Sequence, residues 1–175
     1  PDLYAALVET GVLGLRVPEA SGGSGGSLLD AALVTEQAGR HLASVPLMET
    51  LVVLRLLDSL DSSEARQWLE AALAGDKIVT LDLSAESRSP EAELPGGAVA
   101  DAVIELSGEV LVLYARSPEV SSDPVISVPG PASSGRRSEF ESKPQVLFTG
   151  QSARSLFEVA REEWKILMAA ALAGM

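Results

Sequence analysis

Residues 7–27 connect the end of one helix to the start of another through a glycine-rich segment. A short apolar connector, a Val-Pro-Glu turn at residues 17–19 and a run of glycines lie between the two helices. Gly11 is suited to end the first helix, because a left-handed residue commonly follows a helix C-terminus. Ser27 and Asp30 have the spacing of a capping box, which predicts the start of the second helix. This order of elements predicts a helical N-terminal region.

Four helices are predicted in this region from apolar residues at helical spacing. They are Asp2 to Thr10, a helix that begins at Ser27, a third that begins at Pro46, and a fourth from Ser62 to Ala74. Apolar side chains surround the third helix, so we expect it to be buried on nearly all sides. The fourth has an apolar stripe made of Ala65, Trp68, Leu69 and Ala72.

The apolar period then changes from helical to alternating. Between Lys77 and Ser84, apolar and polar residues alternate, which predicts a strand with one buried face. Further strands are predicted at Val99–Leu106, Val110–Ala115, Val125–Val128 and Val146–Thr149, with Ser107 and Gly108 as a hairpin turn. Residues 86–97 and 129–142 are rich in Ser, Pro and Gly and predict loops, the second of them mobile.

These patterns predict the α+β fold class with three parts. Residues 1–76 would form an N-terminal α-helical bundle, residues 77–150 a small antiparallel β domain, and residues 151–175 the first helix of a C-terminal helical domain. That last helix, Ser152 to Met175, is apolar on all sides from Ile166 to Ala173, so other helices should cover it. The cover would come from the rest of such a domain or from a partner chain.

Composition excludes several classes of function. The formal net charge of −12 argues against binding to nucleic acid or to anionic membranes. The chain has no cysteine, which excludes disulfides and thiolate metal sites. No apolar run is long enough to span a bilayer, and no signal-peptide pattern is visible, so we expect a cytoplasmic protein.

Several segments together resemble the acyl-CoA dehydrogenase family. They are Leu-Gly-Leu-Arg-Val-Pro-Glu at 13–19 with the glycines after it, and residues 31–43, 68–78 and 157–174. These flavoenzymes remove two hydrogens across the Cα–Cβ bond of an acyl thioester. Residues 39–50 are most similar to the actinobacterial branch. Many members of that branch are two-subunit assemblies that act on CoA thioesters of sterols, so the resemblance implies an oxidoreductase of fatty acid or sterol catabolism.

The resemblance also implies FAD as cofactor, acyl-CoA as substrate and another acyl-CoA dehydrogenase subunit as a hetero- or homo-oligomer partner. The family holds the flavin with a threonine hydroxyl and amides where its first β strand ends. Leu83 and Ser84 occupy the matching positions and are the predicted cofactor-binding residues. The Gly-Ser-Asp loop that follows in the family is absent, as are the next strands, since only Ser87 to Pro95 separates Glu86 from Gly96. The sequence therefore predicts that this chain does not complete a flavin site alone.

No catalytic or metal-binding residue is assigned. Most family members carry the glutamate base well beyond the region that this chain matches, and a minority place it on the first C-terminal helix. Glu162 and Glu163 lie on that helix, but Arg161 and Lys165 beside them predict a solvated face with ion pairs. The only histidine, His41, is predicted to be structural near a helix C-terminus.

Three other features have a functional and a structural interpretation, of which the structural one is favoured. The glycines at 22–26 precede a helix and could bind an anion, or could only connect two elements. Arg136 and Arg137 could pair with phosphate, or could form a flexible polar turn. Trp164 and Met168 could line a substrate site, but core packing is the simpler interpretation.

Three functions remain open at the level of sequence. The chain is a family subunit that supports a catalytic partner, or an active FAD-dependent acyl-CoA dehydrogenase whose catalytic C-terminal part is absent from this sequence. Alternatively, it retains the scaffold solely for interactions.

Overall fold

The computed structural model describes residues 3–83, 93–117 and 135–175 of the chain. Its helices are α1 (Leu3–Glu9), α2 (Leu28–Arg40), α3 (Leu47–Asp58), α4 (Ser63–Leu73) and α5 (Ser152–Gly174). Its strands are β1 (Val79–Leu81), β2 (Glu93–Leu94), β3 (Ala102–Ser107), β4 (Val110–Ala115), β5 (Gly135–Arg136) and β6 (Gln145–Thr149). Short 3-10 turns lie at Val12–Gly14, Glu19–Ser21 and Arg137–Glu139. The five predicted helices are confirmed, with ends shifted by a residue or two.

Local sequence signals set the helix ends. The Ser27 hydroxyl accepts a hydrogen bond from the Asp30 amide, and the Asp30 carboxylate accepts one from the Ser27 amide, so the predicted capping box starts α2. The Ser62 hydroxyl caps α4 by accepting a hydrogen bond from the Ala65 amide, without a reciprocal bond. Nine residues of α3 are buried, which confirms that this helix is covered on nearly all sides.

The strands form a mixed sheet of four and a separate pair. The order of the four is β1-β3-β4-β6, and β2 pairs with β5. β1 runs parallel to β3, whereas the other neighbours are antiparallel, so the predicted all-antiparallel arrangement is wrong at this one pairing. The reason is that β2, which lies between them in the chain, pairs with β5 in the separate sheet, so β1 and β3 are not consecutive strands. The α+β class itself is confirmed.

The hairpin between β3 and β4 turns one residue later than predicted. Ser107 pairs with Val110, so Gly108 and Glu109 form the two-residue turn. Gly108 has φ of 67°, a left-handed conformation that glycine adopts at low cost. β3 also starts later than predicted, because the chain forms turns between Pro95 and Val99.

β1 is buried on both faces, whereas alternation predicted one buried face. Val79 and Leu81 join the main core under the helices. Thr80, on the opposite face, is 0% exposed, and its hydroxyl donates to the Pro95 carbonyl. The segment that contains Pro95 therefore covers this face of β1. The polar residues of the strand predicted that the same face is open to water.

The described part of the predicted mobile segment 129–142 is structured. Gly135 pairs with Leu94 in the two-stranded sheet, and Phe140 is 5% exposed in a second small core. The predicted strand Val125–Val128, the rest of that segment and residues 86–92 of the other predicted loop lie outside the described residues.

One hydrophobic cluster includes residues from all three predicted domains. Leu51 and Leu54 of α3 contribute to it, together with Ile104 of the sheet and Phe157 and Leu167 of α5. α5 therefore packs against the N-terminal helices within the same core. In the described ranges, no helix has both the length and the apolar character needed to cross a bilayer.

Candidate functional site

The predicted cofactor-binding residues lie just after β1. Leu83 is half-buried and packs against the main core. Ser84 lies outside the described residues. The assignment of Leu83 and Ser84 to flavin binding therefore stays a prediction.

Among the described residues, the side chains at the end of β1 offer no unoccupied hydrogen-bond donor to a flavin ring. A flavin needs hydrogen-bond donors at its carbonyl oxygens, and its diphosphate needs amides or cations. The Thr80 hydroxyl already donates to the Pro95 carbonyl. Asp82 brings a carboxyl that is 6% exposed, and Leu83 brings an apolar side chain. The described residues here thus supply none of the donor side chains that the flavin requires.

Glu163 is the acidic residue of α5 that lies closest to the core. It is 9% exposed and accepts hydrogen bonds at Oε1 from Arg16 Nη2 at 3.1 Å and Arg55 Nε at 2.9 Å. The predicted solvated face is therefore wrong for Glu163, although it is right for Glu162, which is exposed and pairs with Lys165 at 2.7 Å. Glu163 lies three residues after Ala160 and four before Leu167, so helical spacing already placed it on the buried stripe.

Arg16 ties this carboxylate to the glycine-rich segment. Its Nη1 donates to the Gly26 carbonyl at 2.7 Å, while Nη2 donates to Glu163. The Arg16 side chain is only 10% exposed, whereas that of Arg55 is 43% exposed. The arrangement joins the start of α2, α3 and α5 through one buried carboxylate. Such a geometry is suited to hold α5 in place, because both guanidinium groups bond to the same carboxylate oxygen.

The glycine-rich loop is tied to the turn that precedes it. The amides of residues 23–26 donate to the carbonyls of Pro18, Gly14, Val17 and Leu15 at 2.7–3.0 Å. These amides are therefore already bonded, which supports the structural interpretation over anion binding. A Cβ on Gly23 would lie 2.1 Å from the Val17 carbonyl oxygen, so the close approach requires glycine.

Arg137 is fixed rather than flexible. Its Nε forms an ion pair with Glu105, and its guanidinium lies 3.9 Å from the centre of the Tyr114 ring. The interpretation as a flexible polar turn is therefore wrong for Arg137. His41 is exposed and ends α2, where its amide donates to the Gln37 carbonyl at 3.2 Å.

Sequence reasoning missed Glu49, a buried carboxyl in the first turn of α3. It is 2% exposed, and Trp164 Nε1 donates to its Oε1 at 3.0 Å. Burial raises the pKa of Glu49, although the Trp164 hydrogen bond and the helix backbone lower it. Trp164 packs against the main core, which confirms the core-packing interpretation for that residue, while Met168 is half-buried.

Comparison with known proteins identifies the N-terminal part of the chain. Residues 1–76 match the family model described as "Acyl-CoA dehydrogenase, N-terminal domain". These residues form an acyl-CoA dehydrogenase N-terminal domain. The match covers the helical region in which the glycine-rich segment, the capping box and α3 lie.

Curated relatives extend the match beyond this domain. Acyl-CoA dehydrogenase IpdE2 of Mycolicibacterium smegmatis is 36% identical over 115 residues, which are 65% of this chain and 34% of that protein. Acyl-CoA dehydrogenase FadE27 of Mycobacterium tuberculosis is 34% identical over 87 residues, which are 49% of this chain and 23% of that protein. The chain thus spans about a third or less of the length of these two relatives.

Two solved structures share the fold. A steroid acyl-CoA dehydrogenase variant, Tcur3481-Tcur3483, has a TM-score of 0.67 at 22% identity, and the match covers 98% of this chain and 54% of that chain. The ChsE4-ChsE5 complex from Mycobacterium tuberculosis has a TM-score of 0.62 at 23% identity, and the match covers 94% of this chain and 53% of that chain. At these identities the likeness shows the fold alone.

Proposed function

We propose that this chain is an acyl-CoA dehydrogenase subunit that does not complete a flavin site alone and supports a catalytic partner of the same family. The assembly would use FAD to remove two hydrogens from an acyl-CoA thioester, and a sterol-derived acyl group is the favoured substrate class. The observation that carries the proposal is the end of β1, where Thr80 is bonded to Pro95 and Asp82 and Leu83 supply no donor side chain.

The position of Glu163 supports the same proposal. An α-proton base must face the thioester and be able to accept a proton. Glu163 instead accepts hydrogen bonds from Arg16 and Arg55 and is 9% exposed. We therefore assign it to the support of α5 rather than to proton abstraction.

The name of one structural neighbour describes a complex of two different chains, ChsE4 and ChsE5. By analogy, we propose that the partner of this chain is a second acyl-CoA dehydrogenase subunit. It would supply the flavin-binding groups and the base, and it would cover the exposed apolar residues of α5, which include Val159, Ile166 and Leu172.

An absorption spectrum tests this proposal. The chain is purified alone and after co-expression with candidate acyl-CoA dehydrogenase subunits from the same genome. We expect no flavin band for the chain alone, and a flavin band together with acyl-CoA oxidation for one of the pairs. A yellow chain that oxidises acyl-CoA without a partner would refute the proposal.

A second candidate function follows from the lengths of the relatives. Because the chain spans about a third of IpdE2, the same residues could be part of an active dehydrogenase whose base lies in a further helical region. Intact mass of the protein expressed from the complete gene distinguishes the two candidates. A mass well above that of this sequence, with a flavin site in the single longer chain, would favour the second.

A further inference from the structure

Glu49 lies at a junction of three elements. It belongs to the first turn of α3, and its Oε1 accepts a hydrogen bond from Trp164 of α5 at 3.0 Å. The turn at Gly96, which follows β2, covers the Glu49 side chain on a third side. A Cβ built on Gly96 would lie 2.9 Å from the Pro46 Cβ and 3.6 Å from the Glu49 Cγ. The carboxyl is therefore enclosed where α3, α5 and this turn meet.

The second carboxyl oxygen of Glu49, Oε2, is buried and has no hydrogen-bond partner among the described residues. A buried carboxylate with an unpartnered oxygen is costly, because water would otherwise solvate both oxygens. The neutral acid avoids most of this cost. The geometry thus favours the protonated form, and the raised pKa of Glu49 agrees with it.

Several charged groups on the surrounding elements form ion pairs with one another, although Arg161 Nε is buried and has no hydrogen-bond partner among the described residues. Within α5 the pairs are Arg161–Glu158 and Lys165–Glu162. Glu163 of α5 pairs with Arg16 and Arg55, and Asp101, which follows the turn at Gly96, pairs with Lys77. Tyr4 of α1 lies beside Thr50, the residue after Glu49. None of these ion pairs includes Glu49. Within the described part of the chain, the ionised form of this carboxyl therefore has no cation as an ion-pair partner.

We propose that Glu49 and Trp164 form a proton-dependent contact between α3 and α5, in which the neutral carboxyl holds α5 in place and its ionisation loosens the helix. Ionisation would draw water toward Oε2, and water can enter only if the turn at Gly96 or α5 moves away. The proposal does not depend on the flavin site or on the identity of the partner.

Tryptophan fluorescence tests the contact. The chain has two tryptophans, so Trp68→Phe leaves Trp164 as the only indole. In this background we expect the emission of Trp164 to shift to longer wavelength as the pH rises, with a one-proton midpoint above the ordinary value of 4.5 for glutamate. Adding Glu49→Gln should abolish this transition, because glutamine does not ionise. Glu162→Gln, on the exposed side of α5, should leave it unchanged.

Hydrogen exchange provides a second measurement if Trp68→Phe or Glu49→Gln prevents folding. In the unsubstituted chain, the protection of α5 amides, corrected for the intrinsic pH dependence of exchange, should fall through the same pH range. Trp164→Phe should move this midpoint upward, since it removes the donor that favours the ionised carboxylate. The proposal is overturned if Glu49→Gln leaves the fluorescence transition intact, or if α5 protection does not depend on pH.

Discussion

Arg16 Nη2 lies 3.1 Å from Glu163 Oε1, although 147 positions separate the two residues in sequence. Arg55 reaches the same oxygen at 2.9 Å, so one buried carboxylate joins the glycine-rich segment, α3 and α5. The side chains of Arg16 and Glu163 are 10% and 11% exposed. This network explains how the first helix of the predicted C-terminal region is held against the N-terminal domain.

Replacing Glu163 should destabilise the fold. Glu163→Gln leaves the Arg16 charge buried without its anion, and removal of one partner of a buried pair costs about 3 kcal/mol. Urea unfolding of the two proteins measures this difference. Glu162→Gln is the matched control, since its ion pair with Lys165 is exposed and should change the free energy of unfolding by less than about 0.5 kcal/mol. Equal effects of the two substitutions would contradict the assigned role of Glu163.

The close packing of α2 on α5 should not tolerate a side chain at Gly39. A Cβ there would lie 2.0 Å from the Ala171 carbonyl oxygen, so the two helices would have to separate. Gly39→Ala should therefore lower the free energy of unfolding by about 1–3 kcal/mol, although alanine favours an isolated helix. Thermal and urea unfolding measure the change. Gln37→Ala, at an exposed position of the same helix, should be nearly neutral, and a stabilising Gly39→Ala would contradict the packing.

The capping box of α2 gives a third prediction. Ser27→Ala removes the hydroxyl that accepts from the Asp30 amide, and such a loss costs about 1 kcal/mol. Ser24→Ala is the control, because Ser24 bonds to Gly14 through its amide rather than its hydroxyl. Urea unfolding should separate the two variants, and an equal stability would show that the cap contributes little.

The buried carboxyl of Glu49 predicts how the stability of the folded chain changes with pH. Its pKa is raised by burial above 4.5, so the folded chain retains this proton to a higher pH than the unfolded chain. The stability that this group contributes is complete below pH 4.5 and is lost as the pH rises through the folded pKa. Urea unfolding at a series of pH values should show this decline, and Glu49→Gln should remove it. Parallel pH profiles for the two proteins would contradict the prediction.

The helices could be predicted because their signals are local. The capping box at Ser27, the apolar spacing of α3 and the stripe of α5 each lie within a few turns of chain. Contacts between segments that are far apart in the sequence could not be predicted in this way. Thr80 is covered by Pro95, and Glu163 is paired with Arg16 and Arg55, yet no local pattern connects these positions.

The candidate site was predictable only in part, for the same physical reason. The resemblance located the strand end at Leu83 and Ser84. The Thr80 hydroxyl, however, bonds to the carbonyl of Pro95, which is 15 positions away in the sequence, and no local pattern predicts this contact. The burial of Glu49 could not be predicted from the sequence, because a glutamate in the first turn of a helix is ordinarily solvated and favourable there. Its burial follows from Trp164, 115 positions away.

Equilibrium dialysis of FAD against the purified chain measures whether this chain holds the cofactor without a partner. We expect no saturable binding of FAD to the chain alone, and binding that appears when the partner subunit is added. Stoichiometric binding of FAD by the isolated chain, retained on gel filtration, would show that the chain holds the flavin without a partner.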